Sequence, residues 1–252
     1  MHERMQSARS GFRDASAQAR RRLGSAGAEV RTLVSVLLVT TAVWGVFELT
    51  EEVVEGDTQG FDRSILLALR SAQDPQDPLG PLWLEEMMRD FTALGGVGVL
   101  SLATLATIGY LALERHWRLV TTVAFLVGGG VLLSSVFKAV VDRPRPDIVT
   151  HGSHVVTASF PSGHSMMAAT VYLTLAALLL RDNLRRVARI YILAVALLVT
   201  VLVGISRVYL GVHWPTDVFA GWAVGAAWAL FAWTVAGWIM RWRDGRQTTT
   251  AR

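Results

Sequence analysis

Apolar residues fall in six long blocks, near Thr32–Leu49, Phe91–Leu113, Leu119–Val141, Ser162–Leu180, Val187–Ser206 and Val218–Met240. A bilayer core of about 30 Å takes about 20 apolar residues per helix, and no lipid-facing backbone group can stay unpaired within it. Each block meets or approaches that length. The pattern therefore predicts an all-α fold, a polytopic membrane helical bundle with six transmembrane helices. The fourth block is the shortest and suffices only if its helix opens at the Pro161-Ser162-Gly163 turn. Trp117, Trp214, Trp238 and Trp242 fall near span ends, as interfacial aromatics do.

Composition agrees. Of 252 residues, 52% are hydrophobic and 17% charged, against roughly a quarter charged in an average soluble domain. Too little polar surface remains to cover a core in water. Cysteine is absent, which excludes disulfides, thiolate nucleophiles, zinc–sulfur sites and iron–sulfur clusters.

The 24 basic residues set the expected orientation. Seven lie in the N-terminal tail, two in Glu114–Arg118, four in Arg181–Arg189 and four after the last span, all on one side if the spans alternate. The basic side faces the cytoplasm, so both termini are expected there, in the inner or plasma membrane. The chain then divides into an Arg-rich cytoplasmic tail (1–31), a six-span domain (32–240) and a second cytoplasmic tail (241–252). The first span sits behind about thirty polar residues and lacks a clean cleavage site, so it is expected to stay as an anchor. The N-terminal tail suits an anionic membrane surface. It offers no row of aromatics for base stacking, so nucleic acid is not an expected partner.

The outer side carries the acidic segment 48–90, whose role the sequence leaves open. Within it, Phe61, Ile65, Leu66 and Leu69 share a helical face, which predicts a short interfacial helix without chemistry. Gly128-Gly129-Gly130 and the pair Gly221/Gly225 predict close helix packing. His151 and His154 lie in a polar loop and are given no role.

Three segments carry candidate chemistry, all on the outer side. Lys138, Arg143, Arg145 and Arg207 place cations against the positive-inside trend. For Arg143, pairing with nearby acids such as Asp142 and Asp147 accounts for the charge. For Lys138, Arg145 and Arg207, an external polyanion accounts for it better, because Arg offers bidentate phosphate geometry and Lys a compact charge. The second segment, Pro161-Ser162-Gly163-His164, opens a helix whose unpaired N–H groups favour a phosphate. Ser162 can donate, Gly163 lets backbone approach, and His164 is a proton donor beside the anion. In the third, Pro215 suits the first position of the last helix. Asp217 then turns back toward His213, fixing its tautomer and leaving the other ring nitrogen free to attack.

Together these segments read K-x(6)-R-P (Lys138 to Pro146), P-S-G-H (Pro161 to His164) and S-R-x(5)-H-x(3)-D (Ser206 to Asp217). In this the chain resembles the type 2 phosphatidic acid phosphatases, the lipid phosphate phosphatase and vanadium haloperoxidase-like superfamily. No fixed position departs from the pattern. The resemblance implies an integral membrane lipid phosphatase with its site at the non-cytoplasmic end, hydrolysing a lipid mono- or diphosphate through a phosphohistidine on His213. Plausible substrates by resemblance are undecaprenyl diphosphate, phosphatidic acid and phosphatidylglycerol phosphate. Asp217 would hold the imidazolium, and His164 would serve as acid and then base. Lys138, Arg145, Arg207, Ser162 and Gly163 would bind phosphate oxygens. No metal or other cofactor is expected, since no separate carboxylate cluster suggests a two-metal site. A lipid-linked phosphotransferase would carry identical motifs, and a non-catalytic phosphate-binding or transport protein would keep the same anion site. Oligomeric state cannot be read from the sequence.

Overall fold

The computed structural model describes residues 29–30, 32–148, 158–180 and 184–249, with side chains as far as Gly237. Most of the N-terminal tail, His151, His154 and Arg181 lie outside the described residues, as do the side chains of Trp238 and Trp242. The described residues form helices and loops with one isolated bridge, Arg70 to Pro78. Helix α1 spans Thr32–Glu55. It is followed by α2 (Gln59–Ala68), α3 (Leu82–Leu94), α4 (Val97–Leu113) and α5 (Trp117–Val141). The chain ends with α6 (Gly163–Leu179), α7 (Arg186–Tyr209) and α8 (Pro215–Thr249).

Four helices are long and apolar enough to cross a membrane: α1, α5, α7 and α8 over Pro215–Gly237. Helices α3 and α4 make a fifth if taken as one span bent by 42°. The second apolar block, expected as a continuous helix from Phe91, is thus broken at Gly95-Gly96. Gly96 takes an extended backbone conformation between the two helices, and Gly95 before it is closely packed. A Cβ on Gly95 would sit 2.4 Å from Val203 Cγ1 and 3.1 Å from the His164 carbonyl oxygen. Helix α1 runs on to Glu55, so the acidic segment begins inside the first helix. Leu37, Phe47, Leu102, Leu132, Val187 and Tyr191 are all largely exposed, an apolar surface that suits lipid rather than water.

Helix α6 has 17 residues and is the hub, packed against α5, α7 and α8. Its face of Ser165, Ala168, Ala169 and Thr170 is buried, and small residues on α8 let the backbones close up. A Cβ at Gly225 would lie 2.3 Å from the Met166 carbonyl oxygen, and one at Gly221 would lie 2.8 Å from that of Ser162. Gly129 is likewise held against the ring of Trp228 and Gly130 against Met167 and Thr170, while Gly128 has open space. The expected glycine packing is therefore present at four of these five positions.

The packing brings four helix ends together. Helices α5 and α7 arrive with Lys138 and Arg207 in their last turns, while α6 and α8 depart with Ser162 and Asp217 at their starts. Cations at helix C-termini and acids at N-termini both suit the helix dipole. The segment between α1 and α3 covers this end. Arg70 Nη2 donates to the Tyr209 carbonyl at 2.7 Å, and the Tyr209 hydroxyl donates to the Leu79 carbonyl at 3.0 Å. This strap fixes the 70–80 loop to the end of α7. Helix α2 departs from expectation. Its buried line is Asp62 and Leu66, with Phe61 turned outward, so it buries a charge rather than a purely apolar stripe.

Candidate active site

His213 and Asp217 flank the start of α8. Pro215 is the first helical residue, and Asp217 Oδ2 turns back to accept from the Trp214 backbone N–H at 2.9 Å, which closes a capping box. The same oxygen lies 3.3 Å from His213 Nδ1 and accepts from the Ser159 hydroxyl. Both His213 and Asp217 are buried. A carboxylate only accepts, so Nδ1 carries the proton and Nε2 has a lone pair. That lone pair faces Arg145 Nη1 at 3.1 Å, and Arg145 also donates to the Val212 carbonyl at 2.8 Å. Burial pushes the His213 imidazole down to about 3, helped by the charges of Arg207 and Arg145 and opposed by the Asp217 hydrogen bond. The ring is neutral, the state a nitrogen nucleophile requires.

Ser162 caps α6, accepting from the Ser165 backbone N–H at 3.4 Å and from the Ser165 hydroxyl at 2.9 Å. Its own N–H donates to the Asp217 carbonyl at 2.9 Å, which joins the second and third segments. Lys138 meets the second segment from α5: its Cε lies 3.8 Å from where a Cβ on Gly163 would be, and its Nζ donates to the Ala158 carbonyl at 2.6 Å. Arg207 is held by Thr92 Oγ1 at 3.0 Å, while its Nε is buried without a partner. The charges of Lys138, Arg145 and Arg207 all act on His164. All eight residues singled out from the sequence thus gather at one end of the bundle. Asp217 is the acid that acts on Lys138 and Arg145, and it is already committed to other donors. The surplus is positive and suits a multiply charged anion.

A cavity of about 450 Å3 opens from this point. Lys138, Gly163 and His164 form its polar end, and Leu100, Leu105, Val127, Val131 and Met167 line its apolar course between α4 and α5.

Arg143 corrects the sequence expectation. Its partners are not Asp142 and Asp147 but Asp217 Oδ1 at 2.7 Å and Asp62 Oδ2 at 2.6 Å. Asp62, Ser159 and Thr216 also reach the site unforeseen. Ser159 stands two residues before the P-S-G-H run. Asp62 carried one available signal, a carboxylate inside a helix with an otherwise apolar buried edge.

An all-helical bundle whose cations, imidazoles and apolar cavity converge in this way fits the class of membrane phosphatases. The PAP2 superfamily model matches residues 118–241. Phosphatidylglycerophosphatase B of Bacillus subtilis is 39% identical over 148 residues, covering 57% of this chain and 70% of that protein. An undecaprenyl-diphosphatase of Sulfolobus acidocaldarius is 32% identical over 117 residues, covering 44% of this chain and 52% of its own. The crystal structure of a transmembrane PAP2-type phosphatidylglycerolphosphate phosphatase from Bacillus subtilis superposes with a TM-score of 0.64 and 30% identity, covering 77% of this chain and 93% of that one. The chain belongs to the PAP2 superfamily as a membrane lipid phosphatase of the PAP2 type.

Proposed function

We propose that this protein hydrolyses a lipid mono- or diphosphate through a phosphohistidine on His213. The observation that carries it is the polarised imidazole: Nδ1 on Asp217 at 3.3 Å, Nε2 on Arg145 at 3.1 Å. Arg145 releases Nε2 as its guanidinium turns to the incoming phosphate. Nε2 then attacks phosphorus as the P–O bond to the lipid breaks, and His164, protonated once the negative charge of the bound phosphate offsets Lys138, Arg145 and Arg207, gives that proton to the leaving oxygen. Neutral His164 next takes a proton from water, the hydroxide attacks phosphorus, the P–N bond breaks and inorganic phosphate leaves. Asp217 stabilises the His213 imidazolium throughout. Lys138, Arg145, Arg207, Ser162 and the Gly163 amide hold the non-bridging oxygens as charge builds on them. No step draws on a metal ion.

Lipid phosphates are the proposed substrate class because the polar end of the cavity continues into an apolar groove between α4 and α5. The names of the relatives point the same way, toward phosphatidylglycerophosphate or undecaprenyl diphosphate. The proposed topology has six spans, α3 with α4 forming one and the short α6 another. Arg115 and Arg118 at the start of α5 lie at the opposite end of that helix from Lys138. With the arginine-rich ends and loops cytoplasmic, the site faces outward.

The test is phosphate release from a panel of lipid phosphates by the detergent-purified protein, with and without EDTA. His213→Ala should abolish turnover, and enzyme quenched in alkaline detergent, where a phosphohistidine survives, should carry labelled phosphate on His213 when His164→Ala slows its release. Turnover at the wild-type rate in His213→Ala would remove the nucleophile. Loss of activity in EDTA would bring in a metal.

A further inference from the structure

We propose that Asp62, on the outer helix α2, is a positioning residue for the His213–Asp217 pair, acting through Arg143. The proposal rests on that pair working as described above.

Arg143 is held at both prongs of its guanidinium. Nη1 donates to Asp217 Oδ1 at 2.7 Å and to Thr216 Oγ1 at 2.8 Å. Nη2 donates to Asp62 Oδ2 at 2.6 Å, with Thr58 Oγ1 at 3.4 Å. The Trp214 ring lies 5.5 Å from the guanidinium carbon, and its Nε1 donates to the Pro144 carbonyl at 3.0 Å. Asp62 also reaches the start of α8, where its Oδ1 accepts from the Thr216 backbone N–H at 3.0 Å and its Oδ2 from the Thr216 hydroxyl at 2.6 Å. One carboxylate from α2 therefore caps the helix that carries Asp217 and anchors the arginine that binds Asp217. Both carboxylates are fully buried.

Two buried acids around one arginine are costly to maintain, and an apolar filling of similar volume is often at least as stable. The geometry supplies a use. A guanidinium beside a lone carboxylate prefers to bind both oxygens, fork to fork. Held by Asp62, Arg143 takes only Oδ1 of Asp217. Oδ2 stays with His213 Nδ1, Ser159 and the Trp214 N–H. Without Asp62, the guanidinium slides onto both oxygens of Asp217 and draws Oδ2 away from the imidazole. The nucleophile then loses the group that orients it and stabilises its charged form, while the phosphate-binding cations stay in place.

The test compares wild type, Asp62→Asn, Arg143→Met, the double variant and His213→Ala in detergent, with orthovanadate inhibition as a second readout. Vanadate adopts the five-coordinate geometry of the transition state and reports on His213, whereas KM reports on ground-state lipid binding. Asp62→Asn should lower kcat about tenfold to a hundredfold, the range found when the outer partner that orients a metal-binding histidine is removed. KM should hold and vanadate affinity should fall in step with kcat. In the Arg143→Met background, Asp62→Asn should cost no more than about a further twofold, since groups acting through one another are not additive. If Asp62→Asn alone does not fold, the double variant, in which Asp217 keeps Ser159, the Trp214 N–H and His213 but loses the arginine that fixes its Oδ1, should still show the loss of kcat. Multiplicative losses, a change confined to KM, vanadate affinity that stays fixed while kcat falls, or a double variant with wild-type kcat would each overturn the proposal. Retained activity in His213→Ala would instead sink the dyad itself.

Discussion

The backbone N–H of Ser162 donates to the carbonyl of Asp217 at 2.9 Å, which ties the cap of α6 to the first turn of α8. The α6 groups proposed to bind phosphate are thereby tied to the His213–Asp217 pair on α8. This depends on the close crossing of the two helices, which the glycines of α8 permit.

Two glycine substitutions separate packing from chemistry. Alanine at Gly225 puts a methyl 2.3 Å from the Met166 carbonyl, and backbone must shift to admit it. We expect a loss of about 1–3 kcal/mol, read as a lower Tm in detergent. Alanine at Gly163 meets nothing closer than Ser134 Oγ at 3.7 Å. That variant should keep the wild-type Tm but lose about tenfold to a hundredfold in kcat/KM, because the methyl displaces phosphate from Lys138. Equal Tm losses in the two variants would show that Gly163 is also a packing residue.

Arg145 covers Nε2 of His213, the proposed nucleophile, at 3.1 Å and is proposed to hold phosphate in the complex. Its removal frees Nε2 but leaves the transition state short of one cation. If the second effect dominates, Arg145→Met lowers kcat/KM by about a hundredfold or more, as the loss of a single oxyanion donor does. A steady-state comparison with wild type decides it. Activity at or above wild type would mean that the guanidinium serves only to block the imidazole.

The pH dependence of stability follows from burial of His213. Its folded value of about 3 lies well below the roughly 6.5 of an exposed imidazole. Between these values the unfolded chain binds a proton at this position that the native state refuses. Stability is therefore whole above about pH 6.5 and falls as the pH drops toward 3. Relative to His213→Gln, the wild type should lose about 2 kcal/mol between pH 7 and pH 5. Thermal melts of both proteins at the two pH values measure it. A constant difference between their Tm values would mean that the ring titrates normally.

Much of this site was legible in the chain because its parts are local. Lys138, the Ser162-Gly163-His164 cap and the His213–Asp217 pair are each set by spacing within a helix end or a turn. The capping box at Trp214 and Asp217 follows from Pro215 opening α8. The remainder depends on contacts between distant segments. Asp62 and Thr216 are 154 residues apart and Asp62 and Arg143 are 81 apart, and no periodicity relates them. Local reasoning therefore gave Arg143 the nearest acids, Asp142 and Asp147, as partners. The packing at Gly95 was hidden likewise, because the Val203 side chain that it meets is on another helix.

The groove between α4 and α5 gives the last expectation. Leu105 and Val131 line its apolar course, away from Lys138, Gly163 and His164 at the polar end. A tryptophan at either position fills space that a lipid tail is proposed to occupy, without touching the phosphate site. The loss should grow with chain length, since each buried methylene contributes about 0.8 kcal/mol. We expect the ratio of kcat/KM for a long-chain over a short-chain lipid phosphate to fall by about tenfold or more in Leu105→Trp and Val131→Trp. The measurement is that ratio, taken in one detergent for wild type and both variants. An unchanged ratio in both would move the lipid tail out of this groove and leave α4 and α5 as scaffold alone.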